Sequence, residues 1–193
     1  SRALVIDSRG DIHAQAFVEI RTTRHDARVE HDPLELLASL RSAADAAVGQ
    51  LGADVGRVVA AGLATQRSSI VCWDRPSGEP LTAVLSWQDT RAAAWLEGFA
   101  VQWDAVHAIT GLALAPHYGV SKLMWCIEHE PAVAAAAESG RLCAGPLAAY
   151  LARGLTNSAH DLADPANASR TLLWDRRNRD WSAELLSLFG VDP

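Results

Sequence analysis

A short polar segment between two apolar runs is the first place in this sequence where chemistry could occur. The stretch "GLATQRSSIVCWD" (residues 62–74) loses its apolar character at Gln66, Arg67 and Ser68. Arginine presents five N–H donors in a rigid fork, and the glutamine amide both donates and accepts. Alcohol groups need such mixed partners, so these side chains predict a pocket for a small hydroxylated molecule. The alternative is a surface hairpin whose arginine is merely solvated.

One aromatic residue further along the chain is a candidate for the same pocket, and a loop histidine follows it. Trp87 ends the next predicted strand, and an indole face beside polar groups packs well against the C–H side of a polyol. His117 lies in the loop "APHYGVSK" ahead of a predicted helix. The competing interpretations are a packing role for Trp87, a helix cap for Asp89 nearby, and an exposed loop position for His117.

A buried strand should position the polar corner. The segment "RVVAAGLAT" carries an unbroken apolar run from Val58 to Ala64. Such a run is typical of a central strand covered on both faces of a parallel or mixed sheet. Ligands collect at the carboxyl ends of strands in open α/β sheets. Gln66 and Arg67 would stand at that end.

The rest of the chain alternates between strand and helix patterns. The opening predicts two strands joined at Gly10, followed by a helix with Asp32 as N-cap and Pro33 at its first position. Further strands are predicted at "SIVCWD", "LTAVLSW", "RLCAG" and "ASRTLLWD". Further helices are predicted at "QDTRAAAWLEGFA", "SKLMWCIEHEP", "AVAAAAESG", "PLAAYLARGL" and "SAELLSLFG". This order indicates an α/β domain.

Composition narrows the class of protein. The 193 residues are 49% hydrophobic and 21% charged, which is typical of a globular chain. A net charge of -6 without a basic run argues against nucleic acid. No apolar stretch approaches the roughly 20 residues of a membrane span, and no signal peptide is evident, so we expect no membrane partner and a cytoplasmic location. The three widely spaced cysteines should be buried thiols, and the single lysine, Lys122, is assigned no function.

Familiar catalytic signatures do not occur. The sequence has no GxxxxGK[ST], GxGxxG or GxSxG motif, and neither HExxH nor CxxC for a metal. Composition and spacing therefore predict a cytoplasmic α/β domain with a polar pocket. They do not indicate any particular reaction.

Five stretches in order add a family resemblance. They are "SRALVIDSRGDIHAQA", "VEHDPLELL", "GLATQRSSIVCWDRPSGEPLTAVLSWQDTR", "TGLALAPHYGVSKLMW" and "DPANASRTLLWDRRNRDWSAELLSLFGV". Together they resemble the N-terminal half of an FGGY-family carbohydrate kinase, nearest its glycerol kinase branch. The resemblance implies an RNase H-like fold of the actin/hexokinase type, a mixed sheet flanked by helices. It also implies that residues 1–193 are the substrate-binding N-terminal domain only.

The same resemblance implies an activity. Family members transfer the γ-phosphoryl group of ATP to a hydroxyl of a sugar or polyol, with Mg²⁺ easing the charge and an Asp taking the proton. We expect the family's phosphate loop just before Ser1, and its catalytic Asp and ATP-binding domain beyond Pro193. The 193-residue chain alone should therefore be inactive, without catalytic, cofactor-binding or metal residues of its own. Assembly as a homo-oligomer is left open.

The resemblance matches individual residues of this chain to the substrate-binding positions of the family. Arg67 matches the family's substrate-binding arginine, and Trp87 matches the tryptophan that lines the glycerol pocket. Ser68 stands where glycerol kinases have a substrate-binding Glu, and His117 where they have a Tyr. Losing a carboxylate removes a strong acceptor, so a larger or differently oriented polyol, or a ketose, is compatible with this corner. A pentulose (xylulose-like) kinase and a non-catalytic sugar-sensing domain remain as alternatives.

Overall fold

A five-stranded sheet is the centre of the fold. The computed structural model describes residues 1–156 and 160–191. The described strands are β1 (Arg2–Ile6), β2 (Ile12–Phe17), β3 (Thr23–His25), β4 (Arg28–His31), β5 (Ile70–Asp74), β6 (Val84–Leu85), β7 (Leu142–Pro146), β8 (Trp174–Asp175) and β9 (Asp180–Trp181). The central sheet has the order β3-β4-β6-β5-β7, while β1 pairs with β2 and β8 with β9. Every ladder among the described strands is antiparallel.

Helices cover both faces of that sheet. They are α1 (Pro33–Gly49), α2 (Ala93–Glu97), α3 (Trp103–Thr110), α4 (Gly119–His129), α5 (Pro131–Glu138), α6 (Leu147–Thr156), α7 (Pro165–Ala168) and α8 (Ala183–Phe189), with 3-10 turns at Gly52–Arg57 and Ala100–Gln102. The predicted start of α1 is confirmed, because the Asp32 carboxylate accepts from the N–H groups of Leu34 and Glu35. Of the described residues, no helix is long and apolar enough to cross a bilayer.

Alternation along β5 divides the core into two layers. Val71 and Trp73 point to one face, where they join side chains of α1 and α6. Cys72 points to the other face and joins Cys126 of α4 and Val133 of α5. The predicted burial of all three cysteines is confirmed, since Cys72, Cys126 and Cys143 are free thiols inside the protein. This layered packing fixes where β5 begins, and with it the polar corner at residues 66–69.

The prediction of a central strand from Val58 to Ala64 is wrong. No described strand pairs with this segment, and the Val59 side chain is 96% exposed. A run of β-branched and small residues favours an extended chain, yet a strand also needs a hydrogen-bonded neighbour from elsewhere in the sequence. The described strands β1 and β2 pair only with each other, so the parallel pairing expected of this run is absent among the described residues.

Other element predictions are corrected in detail. The strand expected over "LTAVLSW" shrinks to β6, and most of "ASRTLLWD" belongs to α7 and a following turn, with only Trp174–Asp175 as strand. Helix α3 has no counterpart in the sequence-based assignment. Asp89 is not a helix cap: α2 begins at Ala93 without a side-chain cap, and the Asp89 carboxylate is bound elsewhere.

Candidate functional site

One open cavity gathers the predicted polar corner. It has a volume of about 280 Å³ and is lined by Gln66, Arg67, Ser68, Trp87, His117 and Arg170. All five residues predicted from the sequence therefore meet around a single cavity, and Arg170 joins them as a sixth. A water molecule occupies about 30 Å³ in the liquid, so the space suits a molecule of a few carbon and oxygen atoms. Whether these residues bind a substrate stays a prediction.

A strained turn aims the corner into the cavity. Arg67 and Ser68 form the turn ahead of β5, and Ser68 is 2% exposed with φ 67°, in the left-handed region that costs a side-chain-bearing residue about 1–2 kcal/mol. The next residue fastens the turn, because the Ser69 hydroxyl accepts from the Trp87 backbone N–H at 3.0 Å. The end of β6 and the start of β5 are thereby held side by side.

Trp87 forms a wall of the cavity with His117. The indole is 40% exposed, and its ring centroid lies 5.6 Å from that of His117 in an edge-to-face arrangement. His117 is not in a fully exposed loop position, because its ring is half-buried and lies against both Trp87 and Tyr118. An exposed indole face next to hydrogen-bonding groups is suited to the C–H surface of a polyol.

Beneath Trp87, a buried ion pair holds the loop that follows β6. Asp89 is fully buried and accepts from the Val29 backbone N–H at 2.7 Å and from the Arg91 guanidinium. Arg91 also pairs with Glu30, and its guanidinium lies over the Trp125 ring at 4.6 Å. Asp89 therefore fixes the backbone behind Trp87 and does not face the cavity lining.

Arg170 was missed from the sequence, although it lies within a stretch that carries the family resemblance. Its backbone carbonyl accepts from the Gly119 N–H at 3.1 Å, and Val120 donates to Thr171 at 2.8 Å, so the first turn of α4 fastens this segment. Gly119 permits the approach: a Cβ there would lie 2.8 Å from the Ile70 side chain and 3.1 Å from the Thr171 Cα. Only the three-dimensional contact with α4 brings Arg170 to the cavity.

Lys122 was also missed, because a single lysine carries no motif. Its side chain is 0% exposed, and its ammonium donates to backbone carbonyls on both sides of the cavity, including Ser68 at 3.3 Å and His117 at 2.5 Å. Burial lowers the pKa of Lys122 to about 8; the charge of Asp89 raises it and that of Arg91 lowers it further. A buried cation thus lies directly behind the cavity lining.

The cavity has positive electrostatic character. Arg67 and Arg170 form no salt bridge with the described acidic residues. The pKa of His117 is lowered by burial first and then by the charges of Lys122 and Arg170. Its imidazole is therefore neutral at pH 7, with one nitrogen donating and the other accepting. Two free guanidinium forks and a neutral imidazole can bind hydroxyl or phosphoryl oxygens.

Comparison with known proteins places the whole chain in one family. Residues 1–193 match the N-terminal domain of the FGGY family of carbohydrate kinases. The chain belongs to the FGGY family. The glycerol kinase of Methylibium petroleiphilum is 36% identical over 197 residues, covering 99% of this chain and 39% of that protein. The glycerol kinase of Trichlorobacter lovleyi is 37% identical, covering 100% and 40%. This FGGY chain thus spans about two fifths of the length of the curated relatives it matches.

Solved structures confirm the fold. The glycerol kinase of Plasmodium falciparum, in a crystal structure with ADP, superposes with a TM-score of 0.86 at 23% identity, over 98% of this chain and 38% of that one. A xylulose-type kinase from Brucella ovis also gives a TM-score of 0.86, at 26% identity and with the same coverage. The predicted RNase H-like architecture of the actin/hexokinase type, an α/β sheet flanked by helices, is confirmed for this FGGY domain.

The cavity of this FGGY domain does not fit a metal ion. Mg²⁺ takes oxygen ligands, chiefly carboxylates and waters. The lining side chains are two guanidiniums, an amide, a hydroxyl, an indole and an imidazole, without a carboxylate. Within residues 1–156 and 160–191, no group of three or more His, Cys, Asp and Glu side chains could hold a metal.

Proposed function

We propose that this FGGY domain binds the acceptor substrate of an ATP-dependent kinase, and that this substrate is glycerol or a related polyol. The observation that carries the proposal is the single cavity where Arg67, Ser68 and Trp87 meet. The first two offer hydrogen-bond donors and an acceptor for alcohol oxygens, and the indole offers an apolar face for the carbon chain. The glycerol kinase relatives, at 36% and 37% identity, support the choice of acceptor.

The chain's own residues would bind and orient the acceptor. Arg67 would donate to one hydroxyl, while the Gln66 amide and the neutral His117 imidazole would each donate and accept. Trp87 would exclude water from one side of the carbon chain. Arg170 would donate to a second hydroxyl or to a phosphoryl oxygen of the product. In this proposal the proton-accepting Asp, the ATP site and the Mg²⁺ ligands belong to parts of the protein beyond these 193 residues, so the chain alone does not turn over.

A kinase acting on a pentulose is the second candidate. Its support is the Brucella ovis structure, which matches as well in shape as the Plasmodium falciparum structure does and is slightly more similar in sequence. Ser68 also supports it, since a hydroxyl leaves more room than the carboxylate that glycerol kinases place there. A domain that binds a sugar without phosphorylating it is the third candidate.

The test is an acceptor screen with the natural protein at its full length. ATP consumption is measured with Mg²⁺ and glycerol, erythritol, ribitol, xylitol or D-xylulose. We expect turnover with glycerol or a short polyol, and the Arg67→Ala variant should lose at least tenfold in kcat/KM, about 1.4 kcal/mol. The matched control is Arg57→Ala, because Arg57 is exposed and paired with Asp54 away from the cavity.

Each outcome separates the candidates. Turnover with D-xylulose alone would replace the glycerol proposal by the pentulose one. Binding of a polyol in calorimetry without ATP consumption would favour the sensing domain. Unchanged kinetics in Arg67→Ala would remove Arg67 from the site.

A further inference from the structure

A buried ammonium group joins the two chain segments that form the cavity. Lys122 is in the first turns of α4, and its Nζ atom lies within hydrogen-bonding distance of four backbone carbonyls. The distances are 3.3 Å to Ser68, 3.1 Å to Pro116, 2.5 Å to His117 and 3.5 Å to Tyr118. One carbonyl belongs to the turn before β5, and three belong to the loop before α4.

These carbonyls are directly attached to the cavity lining. Ser68 and His117 both line the cavity, and the backbone carbonyls of the same two residues accept from Lys122. The two residues are 49 positions apart in the sequence, and the ammonium is a direct link between them. Moving either carbonyl by a fraction of an ångström would move a lining side chain with it.

The arrangement is unusual for a purely structural residue. A buried ammonium normally requires a carboxylate partner, since an unpaired charge is costly to remove from water. Among the described residues, no carboxylate forms a salt bridge with Lys122, and Asp89 acts on it only at longer range. Its hydrogen-bonding partners are carbonyl oxygens alone. An apolar side chain would fill the same space without that cost, but it has no N–H donor to bind these carbonyls.

We propose that Lys122 is a positioning residue for acceptor binding. Its ammonium sets the spacing between Ser68 and His117 across the cavity by holding both of their carbonyls. The assignment of the bound molecule as a polyol rests on the proposed function above. The role itself rests on the hydrogen bonds around Nζ. Lys122 does not touch the acceptor, so its effect is on the shape of the cavity.

The experiment compares Lys122→Met with the wild type in the natural protein at its full length. Methionine keeps an unbranched apolar stem as far as the Cε position and removes the ammonium. We expect the KM for the best polyol acceptor to rise at least tenfold. The KM for ATP should stay within about twofold, because the change is confined to the acceptor cavity.

A second variant controls for lost stability. Cys126→Ala makes a small void in the same helix, where Cys126 packs against Cys72 and Val133, and leaves the Lys122 ammonium in place. Its acceptor KM should be that of the wild type even if its melting temperature falls. An acceptor KM unchanged in Lys122→Met overturns the proposal. So does an equal rise in both KM values, or a change no larger than that of Cys126→Ala.

If Lys122→Met does not fold, the test is made with Lys122→Arg instead. The bulkier guanidinium should displace the carbonyls and raise the acceptor KM at least threefold. An unaltered acceptor KM in Lys122→Arg overturns the proposal. If the wild type shows no turnover, the proposed function fails, and polyol binding in calorimetry takes the place of KM. The same tenfold weakening is then expected, whereas equal affinity or no binding at all refutes the role of Lys122.

Discussion

Raising the pH should stabilise this protein through Lys122. The pKa of Lys122 is about 8 in the folded chain and 10.5 in the unfolded chain. Between these values the unfolded state binds more protons, so the free energy of unfolding rises with pH in that window. The difference of 10.5 − 8 = 2.5 units corresponds to on the order of 3 kcal/mol at 1.36 kcal/mol per unit. About 2 kcal/mol of this should be recovered between pH 7 and pH 9.5.

The assay is urea denaturation of the wild type and Lys122→Met at pH 7, 8, 9 and 9.5. Burial raises the pKa of Cys143 to about 12 and also raises the pKa of Tyr150. Any pH dependence that these two groups contribute is the same in both proteins and cancels in the difference. The charged groups that act on Lys122 are Asp89 and Arg91, and both are present in the two proteins. The wild type should gain about 2 kcal/mol relative to the variant. A flat difference, or a falling one, would refute a buried ammonium.

The opposite trend is expected for acceptor binding. The neutral amine formed above pH 8 is a weaker donor to the four carbonyls, so acceptor affinity should fall over the pH range in which the fold gains stability.

Two substitutions test the backbone around the cavity. Gly119→Ala should lower the free energy of unfolding by about 1–3 kcal/mol, since its Cβ would press on Ile70 and on the Thr171 backbone. A Gly119→Ala variant with the same urea midpoint as the wild type would contradict this and show that α4 can shift freely. Ser68→Gly should raise the free energy of unfolding by about 0.5 kcal/mol, because relief of the positive φ outweighs the entropy cost of glycine. Ser68→Val should lower the free energy of unfolding, because a β-branched side chain disfavours a positive φ. The reverse order in urea denaturation would contradict a strained turn.

The sequence was sufficient to predict the polar corner. The abrupt change at residues 66–68 is a local signal, Trp87 stands at the end of the next predicted strand, and the resemblance strengthened Trp87 and added His117. These residues do line one cavity with Arg67. The three cysteines and the Asp32 cap were predicted for the same reason, since burial of a thiol and capping of a helix depend on nearby residues.

What the sequence could not predict depends on distant contacts. Lys122 reaches Ser68 across 54 positions, and Arg170 reaches the cavity only through its contact with the start of α4. Asp89 had the pattern of a helix cap, but a stronger partner, Arg91, and the Val29 N–H take its carboxylate. Strand pairing is equally non-local, which is why the apolar run from Val58 to Ala64 was mistaken for a central strand.

That same run has a practical consequence for handling the protein. Residues 58–64 combine exposed valines with main-chain groups that no described strand engages. Extended apolar backbone of this kind is a template onto which another polypeptide can add as a β-strand. Concentrated solutions of the 193-residue chain should therefore form oligomers and precipitate through this segment, unless it is shielded by a further stretch of polypeptide.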